Sequence, residues 1–146
     1  MRRPTPRLTS GGSKEFYEGC RDGELRLQRC TACQRFRFPP QSMCPECNGT
    51  GIEYVCLPDA RGHVVTFAIV PAPLKQTMPM GAWPMSEYPI AIVISEIEGA
   101  DGARIVTNFP PDDVAALCVG LPVEYEFVTV DDVVLPRARP AASVQA

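Results

Sequence analysis

The sequence predicts a mainly β protein: a short N-terminal helix, a metal-stapled ribbon, and a five-stranded barrel carrying one further short helix. Three observations carry this. Two Cys-x-x-Cys pairs, Cys30–Cys33 and Cys44–Cys47, stand ten residues apart. Short runs rich in β-branched residues follow them, separated by turn signals. Sixteen prolines and eleven glycines in 146 residues favour short strands and frequent turns over long helices. A chain of this length holds one good core, or a smaller core plus a stapled module.

The helix comes first. Residues 1–12 carry Pro, Arg and Gly without periodicity and read as a flexible tail. Ser13 is the expected N-cap and Glu15 sits in the first turn. Phe16, Tyr17 and Cys20 give one apolar side, and Gly23 stops the helix after about two turns. So short a helix must lie on another element.

The ribbon follows, and with the helix it is expected to span residues 13–51. Leu25 to Arg29 alternates and runs into the first Cys-x-x-Cys; Phe36-Arg37-Phe38 alternates too, and Pro39-Pro40 ends it. Each Cys-x-x-Cys turn aims two sulfurs at one point. Two such turns on a hairpin make a tetrahedral thiolate cage with Zn–S distances of about 2.3 Å. Cys30, Cys33, Cys44 and Cys47 are therefore expected to hold one structural zinc per chain in a rubredoxin-like zinc ribbon, while a tetrahedron of sulfurs also suits iron. Four protein ligands leave no position for water or substrate, so this metal organises the fold and performs no reaction. Arg29, Arg35 and Arg37 lie close by in sequence and are candidates to offset the charge of the cage. The ribbon has too few apolar side chains to fold without its metal.

The barrel is expected over residues 52–137, with 138–146 a second flexible tail. Its strands are Ile52 to Leu57, His63 to Val70, Ile90 to Ile97, Ala103 to Phe109, and Val123 to Val130, the last turning at Asp131-Asp132 into Val133 to Leu135. Ile90 to Ile97 is apolar enough to be buried on both faces. Between the fourth and fifth strands Asp112 is the expected N-cap of a short helix, with Val114, Leu117 and Cys118 on its apolar side. About five strands with a short helix before the last is the order of an OB-fold, although strand count alone does not separate it from an SH3-like barrel. Between the second and third strands lie nineteen residues, Pro71 to Pro89, with the only tryptophan, Trp83, among Met78, Met80 and Met85. Long loops in compact domains are commonly binding loops, and Met-rich apolar surface adapts to partners. This loop is expected to be a contact surface.

Composition and motifs limit the chemistry. His63 is the only histidine, no motif surrounds any serine, and no Gly-rich phosphate loop follows a strand. Cys20, Cys56 and Cys118 are expected to be buried, and the acidic pairs Asp112-Asp113 and Asp131-Asp132 suit a helix start and a turn. No catalytic residue is expected. No apolar run approaches the roughly 20 residues of a membrane span, and no apolar segment follows the basic N-terminus as in a signal peptide. With four cysteines in metal spacing, the chain reads as cytoplasmic, with no membrane partner. Residues 1–40 carry nine Arg/Lys against four Asp/Glu, and residues 41–146 five against thirteen. The basic third would steer an anionic ligand or acidic surface. A second reading is a single-stranded nucleic-acid binder that stacks bases on Phe67, Phe109, Tyr125 and Phe127. Its strands lack interleaved Lys/Arg, and Glu124 and Glu126 would repel phosphate, so no nucleic-acid partner is expected.

The order of motifs from about residue 13 to 140 resembles one family. Its pieces are Lys14-Glu15-Phe16-Tyr17, Gly23-Glu24-Leu25, Cys30-Thr31-Ala32-Cys33, Phe38-Pro39-Pro40 and Cys44-Pro45-Glu46-Cys47. Gly62-His63-Val64-Val65-Thr66-Phe67, Tyr88-Pro89-Ile90-Ala91, Thr107-Asn108 and Leu135-Pro136-Arg137 continue it. They are similar to the zinc-ribbon/OB-fold proteins of domain-of-unknown-function family 35, an acyl-CoA-associated group. Gln34 departs from the family's usual glycine and Gln41 from a common basic residue, which is expected to loosen the first turn and not the metal. The resemblance implies an accessory subunit of an acyl-CoA-processing enzyme: a thiolase-fold thiolase, an acyltransferase, a lipid-transfer-protein-like aldolase of steroid side-chain breakdown, or an enoyl-CoA hydratase. It implies a hetero-oligomer in which catalytic residues sit in the partner. Trp83, Met78, Met80, Met85 and Tyr88 would then face the partner or the acyl-CoA.

Overall fold

The computed structural model describes Pro6 and residues 12–71 and 88–142. One helix, α1 (Ser13–Arg21), precedes β1 (Leu25–Cys30), β2 (Phe36–Arg37) and β3 (Ile52–Leu57). Then come β4 (Arg61–Val70), β5 (Ile90–Ile97), β6 (Arg104–Phe109), a 3-10 helix (Pro111–Ala116), β7 (Pro122–Val130) and β8 (Val133–Pro140). The first three strands form one sheet in the order β2-β1-β3, and the last five close a barrel in the order β4-β5-β6-β8-β7. That order, with a short helix between the third and fourth barrel strands, is the Greek-key closure of an OB-like barrel.

The number of barrel strands matches the sequence reading, but their identity differs at both ends. Ile52–Leu57, expected to open the barrel, pairs along its whole length with β1, from Leu25↔Leu57 to Cys30↔Ile52. The strand that completes the barrel is β8, which runs to Pro140 through residues expected to be a flexible tail. It pairs with β7 along its whole length, from Val130↔Val133 to Val123↔Pro140, with the charges in register. Arg137 meets Glu126 at 2.6 Å and Arg139 meets Glu124 at 2.7 Å across the β7–β8 pair. Ala138, between them, is fully buried in the barrel. Its N–H donates to Thr107 Oγ1 on β6 at 3.3 Å. Pro136 and Pro140 share its parity, so neither removes a donor from the β7 ladder.

Smaller differences have local causes. The N-cap of α1 is Gly12, at φ 82° and without a side-chain cap, and Ser13 is the first helical residue. A Cβ at position 12 would stand 2.5 Å from Pro40 Cβ and 2.7 Å from the Tyr54 hydroxyl, so only glycine fits this corner. At the other end, Gly23 N–H donates to Cys20 C=O and Glu24 N–H to Gly19 C=O, the paired bonds of a Schellman stop. The 3-10 helix starts from Pro110 and has no side-chain cap, so Asp112 is not its N-cap. Leu117 is buried below it, while Cys118 is exposed. Cys56, on the free edge of β3, is exposed too, and of the three cysteines expected inside only Cys20 is buried. β5 is buried on one face: Ala91, Val93, Ser95 and Ile97 point inward, while Ile92 is 42% exposed.

Among the described residues, two clusters make the core. Val64, Ala91, Val93, Phe109, Leu117, Val123 and Ala138 fill the barrel. Phe16 and Cys20 of α1 join Leu25 and Leu27 of β1 with Ile97, Ala100, Ala103 and Ile105 of the β5–β6 hairpin. Helix, ribbon sheet and barrel therefore share apolar packing. Tyr125 lies between the clusters, its hydroxyl 2.7 Å from the buried Ser95 Oγ.

Burial in these clusters carries an alkaline cost. Desolvation pushes the Cys20 thiol up to about 12 from an ordinary 9.0, and the Tyr125 phenol up to about 12 from 10.0. Both groups stay protonated in the fold where the unfolded chain would ionise. Their stabilisation is thus intact below pH 9, falls as the pH rises, and is spent near pH 12. Thermal melts across that range should show a falling Tm, and Cys20→Ala should flatten its early part. A Tm independent of pH between 9 and 12 would contradict the burial assigned to both groups.

Candidate metal centre and contact surface

The two Cys-x-x-Cys turns are built alike. Cys30 N–H donates to Arg35 C=O at 3.0 Å and Gln34 N–H to Cys30 C=O at 2.9 Å. Cys44 N–H donates to Gly49 C=O at 2.8 Å and Asn48 N–H to Cys44 C=O at 2.9 Å. In each turn the residue after the second cysteine is left-handed, Gln34 at φ 62° and Asn48 at φ 57°. Gln34, which stands where a glycine was expected, bears a left-handed cost of about 1–2 kcal/mol. Its side chain offsets part of this by donating to Thr31 C=O at 3.0 Å. The first turn nonetheless closes with the same bonds as the second.

This local geometry converges the four sulfurs. Cys30 and Cys47 Sγ are 3.6 Å apart, Cys33 and Cys44 Sγ likewise, and all four lie within 4.8 Å of one another. A Zn–S bond of about 2.3 Å gives a tetrahedron edge of roughly 3.8 Å, so the cage fits one ion. Backbone N–H groups are aimed into it. Those of Cys33 and Ala32 hold the Cys30 thiol down to about 6, and that of Cys47 lowers Cys44. Gly49 N–H lowers Cys47, but the sulfurs of Cys33 and Cys30 outweigh it and push that thiol up to about 12. Four converging sulfurs cannot all be thiolates unless a cation lies among them. The site is positioned to bind a single metal ion.

Two of the arginines expected beside the cage have other partners. Arg29 Nε donates to Glu53 at 2.8 Å and its guanidinium lies over the Phe36 ring. Arg37 is buried: its Nε donates to Gln28 Oε1, and Gln41 N–H donates to the same oxygen at 2.9 Å. Arg35 is exposed. Backbone N–H groups, by contrast, reach the sulfurs of Cys30, Cys44 and Cys47.

The other expected site residues divide. Met78, Met80, Trp83 and Met85 lie outside the described residues, and Tyr88 is half-buried just before β5. His63 is exposed on β4, opposite Glu96 of β5 and Pro122 of β7. Phe109 is buried in the barrel, and Phe67, Tyr125 and Phe127 pack against the core clusters. The outer face of β5–β6 instead presents Ile92 and Val106, the latter 59% exposed, with Arg104 held by Glu96 at 3.1 Å. Sequence reading missed this face by treating β5 as buried on both sides. The signal was there in Ala91 and Ser95, small residues at the inward parity of a crowded barrel. A groove of about 480 Å³ between α1 and the β7–β8 hairpin sets Lys14 and Arg21 around Tyr17 and Val133, with Glu18 and Asp132 beside them. Among the described residues, no helix is long and apolar enough to cross a membrane.

Comparison with known proteins places these features in context. A family model described as the ChsH2 rubredoxin-like zinc ribbon domain matches residues 18–53, which include all four cysteines. A chain of a solved Ltp2-ChsH2(DUF35) aldolase is 27% identical with a TM-score of 0.72. The match covers 96% of this chain and 100% of that one. A solved DUF35-family protein of unknown function from Sulfolobus solfataricus is 16% identical, with a TM-score of 0.60 over 91% of this chain and 87% of its own, a likeness of fold. A probable enoyl-CoA hydratase alpha subunit of Thermomonospora curvata is 27% identical over 143 residues, covering 95% of this chain and 40% of the relative. This chain thus spans about two-fifths of that relative's length.

Proposed function

We propose that this chain, which belongs to the DUF35 family, is a non-catalytic accessory subunit of an acyl-CoA-processing enzyme. It docks on a thiolase-fold thiolase, acyltransferase or lipid-transfer-protein-like aldolase and helps to bind or position the acyl-CoA thioester, in lipid or steroid side-chain metabolism in the cytoplasm. The observation that carries this reading is the end-to-end likeness to a chain of the Ltp2-ChsH2(DUF35) aldolase. A second relative strengthens it. The same unit occurs within a longer polypeptide named for a hydratase reaction. One unit found with two different reactions is best read as a carrier of neither. The metal agrees, since four thiolates close its coordination shell and leave no position for substrate. The nucleic-acid reading is weakened, because the aromatics it needs are engaged with the core.

The loop between β4 and β5 is the proposed contact, with Trp83 as its anchor and Met78, Met80, Met85 and Tyr88 around it. Tryptophan is enriched at interface hot spots, where truncation costs about 2 kcal/mol or more, roughly thirtyfold in affinity. Co-expressed with its acyl-CoA enzyme, the chain should co-purify as a hetero-oligomer. Trp83→Ala should then weaken the pair by about that factor while leaving the Tm of the free chain in place. A lowered Tm with unchanged affinity would make the loop a cap on its own barrel. Absence of any complex with such enzymes would overturn the reading itself.

A further inference from the structure

The four metal ligands are not equivalent. Cys30 and Cys44, the first cysteine of each turn, are essentially inaccessible at 0% and 1%, while Cys33 is half-buried and Cys47 exposed. The buried pair is also the better covered by backbone. N–H groups of Cys33 and Ala32 point at the Cys30 sulfur, and those of Cys47 and Glu46 at the Cys44 sulfur. Cys47 receives that of Gly49. Its surroundings are open as well, since Met43, Pro45, Glu46, Asn48 and Thr50 are all exposed. Hydrogen bonds to a ligating sulfur draw off electron density, and burial keeps reagents away, so both effects protect the first cysteine of each turn.

We propose that Cys47 is a modification site: the ligand at which a soft carbon electrophile of the Michael-acceptor class captures a metal-bound sulfur while the ribbon is still folded. The electron pair of the Cys47–metal bond forms the new S–C bond at the acceptor's β-carbon. The π electrons of the acceptor shift to its α-carbon, which takes a proton from water and leaves hydroxide. No electron is gained or lost overall. Cys30, Cys33 and Cys44 would remain to hold the ion, and with one thiolate fewer they would hold it less tightly. A site that is closed when intact is thereby opened from one known corner.

The experiment uses the full chain with zinc bound and N-ethylmaleimide as the probe. Brief labelling, followed by peptide mapping with fragment spectra that separate Cys44 from Cys47, reads all four ligands in one sample. A chromogenic zinc chelator follows metal release alongside. Cys118, exposed and outside any disulfide, serves as the internal reference for an unliganded thiol. The expected result is Cys47 labelled about tenfold ahead of Cys30 and Cys44 and ahead of Cys33, with zinc released in step. In metal-stripped protein that selectivity should collapse to within about twofold, because the corner exists only in the folded cage. Equal labelling of the four ligands in zinc-bound protein would mean that the ribbon unfolds before it reacts. That result, or Cys33 leading, or selectivity that survives removal of the metal, would overturn the proposal.

Discussion

Cys30→Ser or Cys44→Ser should yield a chain without bound zinc and without a folded ribbon, whereas the unaltered protein, purified with no added metal, should hold one zinc per chain by elemental analysis. Structural zinc in small modules contributes about 10–16 kcal/mol of apparent binding free energy, and where the site exists only in the folded state this is folding free energy. β2 is two residues long, and the ribbon sheet brings only Leu25 and Leu27 as fully buried apolar side chains, both on β1 and both part of the cluster shared with α1 and the β5–β6 hairpin. Without the cage, little holds residues 31–51 in place. Hydrogen exchange should therefore show protection lost across residues 31–51, weakened in β1 and β3, which keep their pairing and the packing of Leu25 and Leu27, and retained in β4 to β8. Chelation of the wild-type protein should reproduce the pattern. Protein that stays protected after stripping, or that is isolated without metal and with a Cys30–Cys33 disulfide, would refute the assignment.

The loss should not stop at the ribbon. Phe16, Cys20, Leu25 and Leu27 pack on the β5–β6 hairpin, and Asp101 in that hairpin's turn accepts the Phe36 N–H at 3.1 Å. The metal is thus connected by packing to the outer strands of the barrel. Removing it should lower the barrel's own Tm, by an amount set by the burial of these few side chains.

The metal site was legible because its chemistry is local: spacing alone brings four sulfurs together, and the turn bonds follow from the backbone. The apolar side of α1 was legible too, since three residues at helical spacing leave one way to bury them. What escaped were facts about pairing. Nothing within Ile52–Leu57 states whether it will pair with β1 or with the barrel; both offers are apolar and alternating. The decision is made by the short connection from Cys47 to Ile52, which returns the chain beside Cys30. The end of β8 was missed because residues 138–146 read as a flexible terminal tail. The complementary spacing of Glu124 and Glu126 with Arg137 and Arg139 was readable, but only when the two segments are set side by side. The exposed edge position of Cys56 follows from the same pairing, so it was lost with it.

Gly62→Ala should be among the most destabilising single-methyl changes in the barrel. β4 is paired on both edges at this residue, with Ile97 of β5 and Val123 of β7. A Cβ there would stand 2.2 Å from the Glu96 carbonyl oxygen and 3.0 Å from the Tyr125 hydroxyl. The first neighbour is backbone and cannot rotate away. Relief requires β4 to move off β5, and the β4–β7 seam consists only of Arg61↔Glu124, Gly62↔Val123 and His63↔Pro122. Overpacking costs about 1–3 kcal/mol, and displacing Tyr125 from Ser95 leaves a buried hydroxyl unpaired at a similar cost. Together these give roughly 3 kcal/mol, or a Tm lowered by about 10 °C in a chain of this size. Adding Tyr125→Phe removes the second obstruction, so the double variant should lose less than the sum of the two singles. Gly62→Ala melting within about 2 °C of the wild type, or strict additivity with Tyr125→Phe, would show that the seam yields where its geometry says it cannot.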